Sequence, residues 1–230
     1  MVAGEAGTSR RERRKQEVRQ RIVSAAEVLF ARRGFDGTTV DQIAEAADVA
    51  QKTFFNHFPS KHDLLELLAN GRLDRLHAEL EEVRGRALST DRKLALFFAR
   101  GARHIEEEDL LARDVSRELH RLLSPDSDAA GDEASKLSGL FAAILRDGQT
   151  AGDVRDDRDP DFLAEMVLGV YSAVMMNWAS GVGYPVRRRL IQAAEFLGEA
   201  LAPREGGRRR RNTATSGSAA RRRPAKPRSP

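Results

Sequence analysis

The chain has 230 residues, no cysteine, and 39 basic against 35 acidic side chains, a formal charge of +4. Such a length fits one soluble domain with appendages or two small domains. With 40% hydrophobic and 32% charged residues the chain can bury a core but is too charged for a membrane protein. The lack of cysteine excludes disulfides, a thiol nucleophile and Cys-ligated zinc.

The charge is unevenly spread. Residues 204–230 carry +9, residues 1–58 carry +2 with most of the excess at Arg10, Arg11, Arg13, Arg14, Lys15 and Arg19, and residues 59–203 carry −7. An acidic body with basic ends suggests that selected surfaces meet a polyanion, nucleic acid first among them. The opening residues turn basic with no apolar run behind them, so no signal peptide is expected and the location expected is cytoplasmic. One uncharged run, residues 166–186, contains Ser172, Asn177, Ser180, Gly181, Gly183 and Pro185. It is expected to be a buried helix and a turn, with no membrane partner.

Helical periodicity dominates, and strand patterning is nearly absent. Residues 1–15 are expected to be a disordered basic arm. Ile22, Val23, Ala26, Leu29 and Phe30 form an apolar stripe closed by Gly34, which predicts a first helix over about 16–33. Thr38 and Thr39, with Asp41 and Gln42 three residues on, offer capping-box spacing for a second helix whose inward face is Val40, Ile43, Ala44 and Ala47. After the short break at 47–49, a third helix is expected over about 50–56, burying Phe54. Ser60 with Asp63 starts a long helix to about Arg84, and five more are expected over about 90–106, 108–123, 130–149, 159–181 and 186–202. Residues 204–230 lack large apolar side chains and are expected to be disordered. Two readings of this tail stand open, a solubilising appendage or an arm that releases counterions from DNA.

Two short helices across a tight turn, behind an amphipathic helix and beside basic residues, describe a helix-turn-helix DNA reader. A helix enters the major groove with short or polar groups outward and its hidden side anchored. Gln51, Lys52, Thr53 and Asn56 are the expected outward set, and Phe54 and Phe58 the anchors.

The run TVDQIAEAADVAQKTFFNHFPSKHDLL, residues 39–65, resembles the helix-turn-helix of the tetracycline-repressor (TetR) family, and the likeness extends over roughly residues 16–68. The stretch RDGQTAGDVRDDRDPDFL, residues 146–163, is similar to that family's join into its penultimate helix. The resemblance implies a homodimeric transcriptional regulator, usually a repressor, that leaves a palindromic double-stranded operator when a small-molecule effector enters the second domain. It implies Thr39 against phosphate, Gln51, Lys52, Thr53 and Asn56 in the groove, and His57 and Lys61 on backbone phosphates. Three positions depart from the family's pattern. Phe55 stands at the DNA-facing position usually held by Tyr and lacks its hydroxyl, Asp48 replaces a turn Gly, and Ala50 replaces a frequent Ser and with it an N-cap of about 1 kcal/mol.

In the later helices Phe97, Phe98, Val115, Leu119, Phe141, Ile144, Tyr171, Met175 and Trp178 are the bulky groups expected to line a pocket, with Tyr171, Asn177 and His104 as polar handles. Plain core is the alternative for each. Small residues at Ala164, Gly169, Ser172 and Ala173, followed by residues 186–201, suit half of an intersubunit four-helix bundle. Two readers in such a dimer would meet half-sites roughly 34–36 Å apart. The histidines show no metal-ligand spacing, so no metal and no cofactor are expected, and no nucleophile motif or phosphate loop points to an enzyme.

The expected architecture is therefore all-α, with an N-terminal three-helix helix-turn-helix domain over 16–62 and a helical ligand-binding and dimerisation domain over 63–203. The function expected is ligand-released, sequence-specific DNA binding. A ligand-independent architectural DNA binder using the tail, and a helical small-molecule-binding protein without DNA affinity, are the other classes considered.

Overall fold

In a computed structural model, residues 10–103, 105, 110–124, 130–181 and 183–204 are described. Among them every regular element is an α-helix: α1 (Arg10–Arg33), α2 (Val40–Ala46), α3 (Gln51–His57), α4 (Lys61–Arg84), α5 (Thr90–Arg103), α6 (Leu110–Leu122), α7 (Ala130–Ala151), α8 (Pro160–Ser180) and α9 (Val186–Leu201). The expectations for residues 1–9 and for the tail beyond Arg204 lie outside the described residues, as do those for His104.

The local signals act where the sequence carries them. At α2 the Thr39 hydroxyl accepts from Gln42 N–H at 3.3 Å and the Gln42 side chain accepts from Thr39 N–H at 3.1 Å, a reciprocal capping box. Thr38 takes no part in it. It is buried, and its hydroxyl donates back to Gly34 O at 2.9 Å. A second box joins Ser60 and Asp63 at α4. Gly34 ends α1 at φ 72°, and Asp48 takes φ 51° in the turn between α2 and α3, the left-handed geometry that Asp accepts better than most residues. Arg21 closes that turn from α1, donating to Asp48 O at 2.7 Å, to its carboxylate at 3.1 Å and to Ala47 O.

Two boundaries differ instructively. α1 starts at Arg10, not near Gln16, so residues 10–15 are helical where a disordered arm was expected. The stretch RRERRKQEVR contains neither Gly nor Pro and consists mostly of good helix formers, so the helix propagates past its last apolar anchor. α4 runs unbroken through the expected domain boundary. Leu64 belongs to the head core with Ile22, Ala26, Phe30, Ile43, Phe54 and Phe58, while Leu65 belongs to the larger second core.

In the second domain α8 is central, packed on α6, α7 and α9, while α5 lies along α9. By length and composition α8 could cross a membrane. One side of it, however, is buried in protein through Leu163, Ala164, Val167, Tyr171, Val174 and Trp178. A latch ties the α7–α8 turn to the start of α5, where Thr90 N–H and hydroxyl donate to the Asp153 carboxylate at 3.0 and 2.8 Å. Gly148 is required beneath it, since a Cβ there would lie 2.3 Å from Thr90 Oγ1.

Candidate nucleic-acid interface and effector cavity

The short helix α3 is pinned by Phe54 and Phe58, both buried. Its outward side carries Gln51, Lys52, Phe55 and Asn56, all exposed, with Thr53 and His57 half-buried at the flanks. These positions fall at i, i+1, i+4 and i+5, one face of a helix. The amide and ammonium groups offer donors and acceptors to base edges, and the Phe55 ring, 48% exposed, offers an apolar surface that suits a thymine methyl. Ala50 makes no side-chain cap. Thr39 is exposed, and its hydroxyl hydrogen is still free to donate while its oxygen serves the cap.

His57 is held below its ordinary pKa of 6.5, first by partial burial and then by the positive charges of Lys15 and Arg19. Arg19, one of the basic residues of the N-terminal excess, is given no place in the reading head by the sequence. It donates to His57 O at 3.3 Å and lies 4.3 Å from the centre of the Phe58 ring.

Lys61 carries contacts its expected role did not include. Its ammonium donates to Phe35 O at 2.6 Å and Thr38 O at 2.7 Å and sits 4.1 Å from the Phe35 ring centre. Two of its three N–H donors are thereby engaged by neutral carbonyls of the α1–α2 turn. Lys61 is thus a fastening between α4 and that turn.

Two adjoining cavities lie among α4, α6 and α8. The larger, about 260 Å³, is lined by Leu67, Leu68, Ile105, Leu111, Val115, Met175 and Trp178, with Arg72 and Arg75 adding positive charge and Glu27 of α1 a single negative one. The smaller, about 60 Å³, is lined by Leu76, Leu119, Leu137, Leu168 and Tyr171. Arg72, Ser116 and Met175 border both. Of the expected pocket residues, Val115, Leu119, Tyr171, Met175 and Trp178 are among those that border these cavities. Phe97, Phe98, Phe141 and Ile144 are not: they are fully buried core. Phe97 meets Phe141 edge-on with ring centres 5.4 Å apart, and both Phe97 and Phe98 back the Tyr171 ring at 5.3 and 5.4 Å. Their helices press together from several sides, which turns aromatic residues into filler behind the cavity wall rather than its lining.

Sequence reasoning passed over Arg72 and Arg75, whose signal was a pair of cations inside a leucine-rich helix. Arg72 is paired with Glu79 at 3.2 Å, both side chains largely buried, and the other Glu79 oxygen is buried with no hydrogen-bond partner. The charge of Arg72 also bears on Tyr171, whose pKa is raised above 10.0 chiefly by burial, with Arg72 opposing.

α6 stands between the two halves. Its cavity side carries Leu111, Ala112, Val115 and Ser116. On another side the buried Asp114 accepts from Phe35 N–H at 2.7 Å, beyond the end of α1. The equally buried Glu118 lies 3.4 Å from His62 of α4 and accepts from Arg121 at 2.6 and 2.9 Å. On a third side Arg113 donates to Trp178 O and Gly181 O, and Arg117 to Ala179 O, at 2.7–2.9 Å. These bonds grip the carbonyl end of α8. His62, Glu66 and Glu118 have ligand atoms within 4.8 Å of one another, the one group of metal-ligand types noted among the described residues. The Glu118 oxygen there already serves Arg121 and His62, so the group acts as an ion-pair network between α4 and α6.

Comparison with known proteins agrees with this geometry. Residues 22–68 match the model of the family described as bacterial regulatory proteins, tetR family. The HTH-type transcriptional repressor DhaR of Mycobacterium sp. (strain GP1) is 27% identical over 169 residues, 70% of this chain and 81% of that protein. The HTH-type transcriptional repressor KstR2 of Mycolicibacterium smegmatis is 27% identical over 152 residues, 65% of this chain and 73% of its own length. Among solved structures, Thermus thermophilus FadR, a repressor crystallised with lauroyl-CoA, is 29% identical with a TM-score of 0.60, covering 82% of this chain and 97% of that one.

Proposed function

We propose that this chain, which belongs to the tetR family of bacterial regulatory proteins and is a DNA-binding transcriptional regulator, works as a dimeric repressor released by an amphipathic anion. The observation that carries this reading is the placement of α6, which lines the cavity with Val115 and Ser116 while the neighbouring Asp114 holds the Phe35 N–H beside the reading head.

The chemistry of the cavity favours a ligand with an apolar tail and an acidic or acyl head. Arg72 and Arg75 supply the charge, and Leu68, Leu111, Met175 and Trp178 the apolar wall. The FadR relative, whose structure holds lauroyl-CoA, supports the same class. At about 260 Å³ the space is small beside the roughly 300–1,000 Å³ of ordinary ligand sites, so entry has to part α4 from α6. Parting them pulls on the Asp114–Phe35 bond and on the His62–Glu118 pair, and the head shifts relative to its partner. The ligand acts by binding one conformer better than the other.

A twofold dimer is supported by an unpartnered stripe on α8, where Phe162 and Met166 are each 46% exposed and a Cβ on Gly169 would meet nothing within 4 Å. Ile191 and Phe196 of α9 are also exposed. The place of such a regulator is the cytoplasm, and its partners are operator DNA, its own copy and the effector. No catalytic role is assigned to any residue.

The test is titration of an operator complex, its site chosen by selection from random duplexes, with lauroyl-CoA, lauric acid and uncharged dodecanol at fixed salt. Release by the two acidic ligands, with an Arg72→Ala/Arg75→Ala variant needing at least tenfold more, is expected. Equal ligand affinity with and without operator would overturn the mechanism, because the coupling is reciprocal.

A further inference from the structure

Buried polar groups are normally satisfied, yet two acids of α4 meet that rule in reverse. Glu82, half exposed, receives two bonds from Arg100 at 2.6 and 2.8 Å and another from Arg86 at 2.6 Å. Glu79 is largely enclosed and has one contact, to Arg72 at 3.2 Å, while its second oxygen is buried with no hydrogen-bond partner. The better bonds thus go to the acid that water could serve. A single long contact repays little of the cost of keeping a carboxylate away from water. The Arg72–Glu79 pair is therefore weakly held for its depth.

The pair also stands at the edge of the effector cavities. Arg72 borders both of them, whereas Glu79, about two helical turns farther along α4, lines neither. Tyr171, on the wall of the smaller cavity, is acted on by the charges of both Arg72 and Glu79. A ligand in these spaces meets the guanidinium without meeting Glu79, so an acidic ligand and Glu79 compete for one cation. Losing that contest does not strand Glu79. Its charge already acts on Arg100 of α5, so a second cation stands near.

We infer, on the reading of the cavity as a site for an amphipathic anion, that Glu79 is a resident competitor for Arg72, displaced when the effector's acid takes the guanidinium. The strength of the internal pair then sets how much effector is needed and how strongly an acid is preferred to an uncharged analogue. Glu79 is a positioning residue in this scheme. It acts through Arg72 and touches no ligand atom.

The experiment titrates the intact chain with laurate and with dodecanol at fixed salt and follows the fluorescence of Trp178, the single tryptophan of the chain and part of the cavity wall. Glu79→Gln keeps the side chain's shape and removes its charge. It is expected to tighten laurate binding about tenfold, the equivalent of one charge-assisted bond no longer spent on Glu79, while dodecanol affinity moves by less than about threefold. Glu79→Met removes the charge without adding an unpaired donor and gives the same test if the amide variant does not fold. A merely structural pair would show as lowered thermal stability with the ratio of the two affinities unchanged, and that result overturns the inference. So does weaker laurate binding in either variant, which would mean that Glu79 aims Arg72 at the ligand. Should laurate bind the unaltered chain no better than dodecanol, the anionic-effector reading falls and the competitor role falls with it; laurate preference in the unaltered chain that the variants leave unchanged removes the competitor role alone.

Discussion

The reading head and the second domain place their polar groups in opposite ways. In the head, Thr38 is the buried polar residue among those described, and it is satisfied within its own turn; the ions of α3 stay outside. The second domain takes charge inward, burying Asp114 and Glu118 and enclosing most of the Arg72–Glu79 pair with one Glu79 oxygen unmatched. An apolar core specifies one packing. A core holding ions that can change partner offers a ligand something to rearrange. The head is thus built as a fixed reader, and the second domain as the part able to occupy two states.

The sharpest way to break this contrast is to cut into the fixed part. Phe54→Ala should cost about 3–5 kcal/mol of stability, the usual toll for removing a buried Phe, and abolish operator binding; denaturant unfolding with a binding assay at low temperature checks both. If operator binding survives, α3 does not depend on that anchor. Removing the link between the halves is expected to do less. Asp114→Ala leaves Phe35 N–H without its acceptor, a loss of about 1–3 kcal/mol, and should weaken effector-driven release more than operator affinity, as ligand titrations of the complex would reveal.

Lys61→Met probes the fastening of α4 to the α1–α2 turn. A drop of about 1–2 kcal/mol in thermal unfolding, with the salt dependence of DNA binding unaltered, is expected; a flatter salt dependence would return Lys61 to the phosphate contacts.

The smallest effect concerns His57. Its folded pKa lies below 6.5 because burial, Lys15 and Arg19 disfavour the charged form. The unfolded chain therefore binds the proton more readily. The stability linked to this group is complete above 6.5 and declines as the pH falls below that value. Operator phosphates favour the charged form instead, so affinity should rise modestly over the same range in the unaltered chain and not in His57→Asn. Parallel pH profiles for the two would remove His57 from the interface.

Much of the head was legible because its signals are local. Thr39 with Gln42, Ser60 with Asp63, Gly34 and the anchors Phe54 and Phe58 each declare themselves within a few residues, and the structure uses every one. The fastening made by Lys61 escaped for the same reason, since its carbonyl partners lie 23 and 26 residues back in the chain. The second domain was legible only as helices. Phe97 and Val115 recur with the same helical period, and nothing local tells a residue on a cavity wall from one behind it. Arg72 and Asp114 acquire meaning only from partners on other turns or other helices. The helical start at Arg10 escaped because propensity, without an apolar stripe, gives a weak signal.

The bond from Phe35 to Asp114 spans 79 residues of chain, whereas the buried residues of the head core all lie between Ile22 and Leu64, with Leu111 of α6 only packed against them from outside. Contacts so near in sequence form quickly, and long-range ones follow. As the polypeptide leaves the ribosome, the head can take its shape before α6 has been synthesised. Control is fitted afterwards to a reader already made, and a nascent or truncated chain ending short of α6 would carry that reader without its brake.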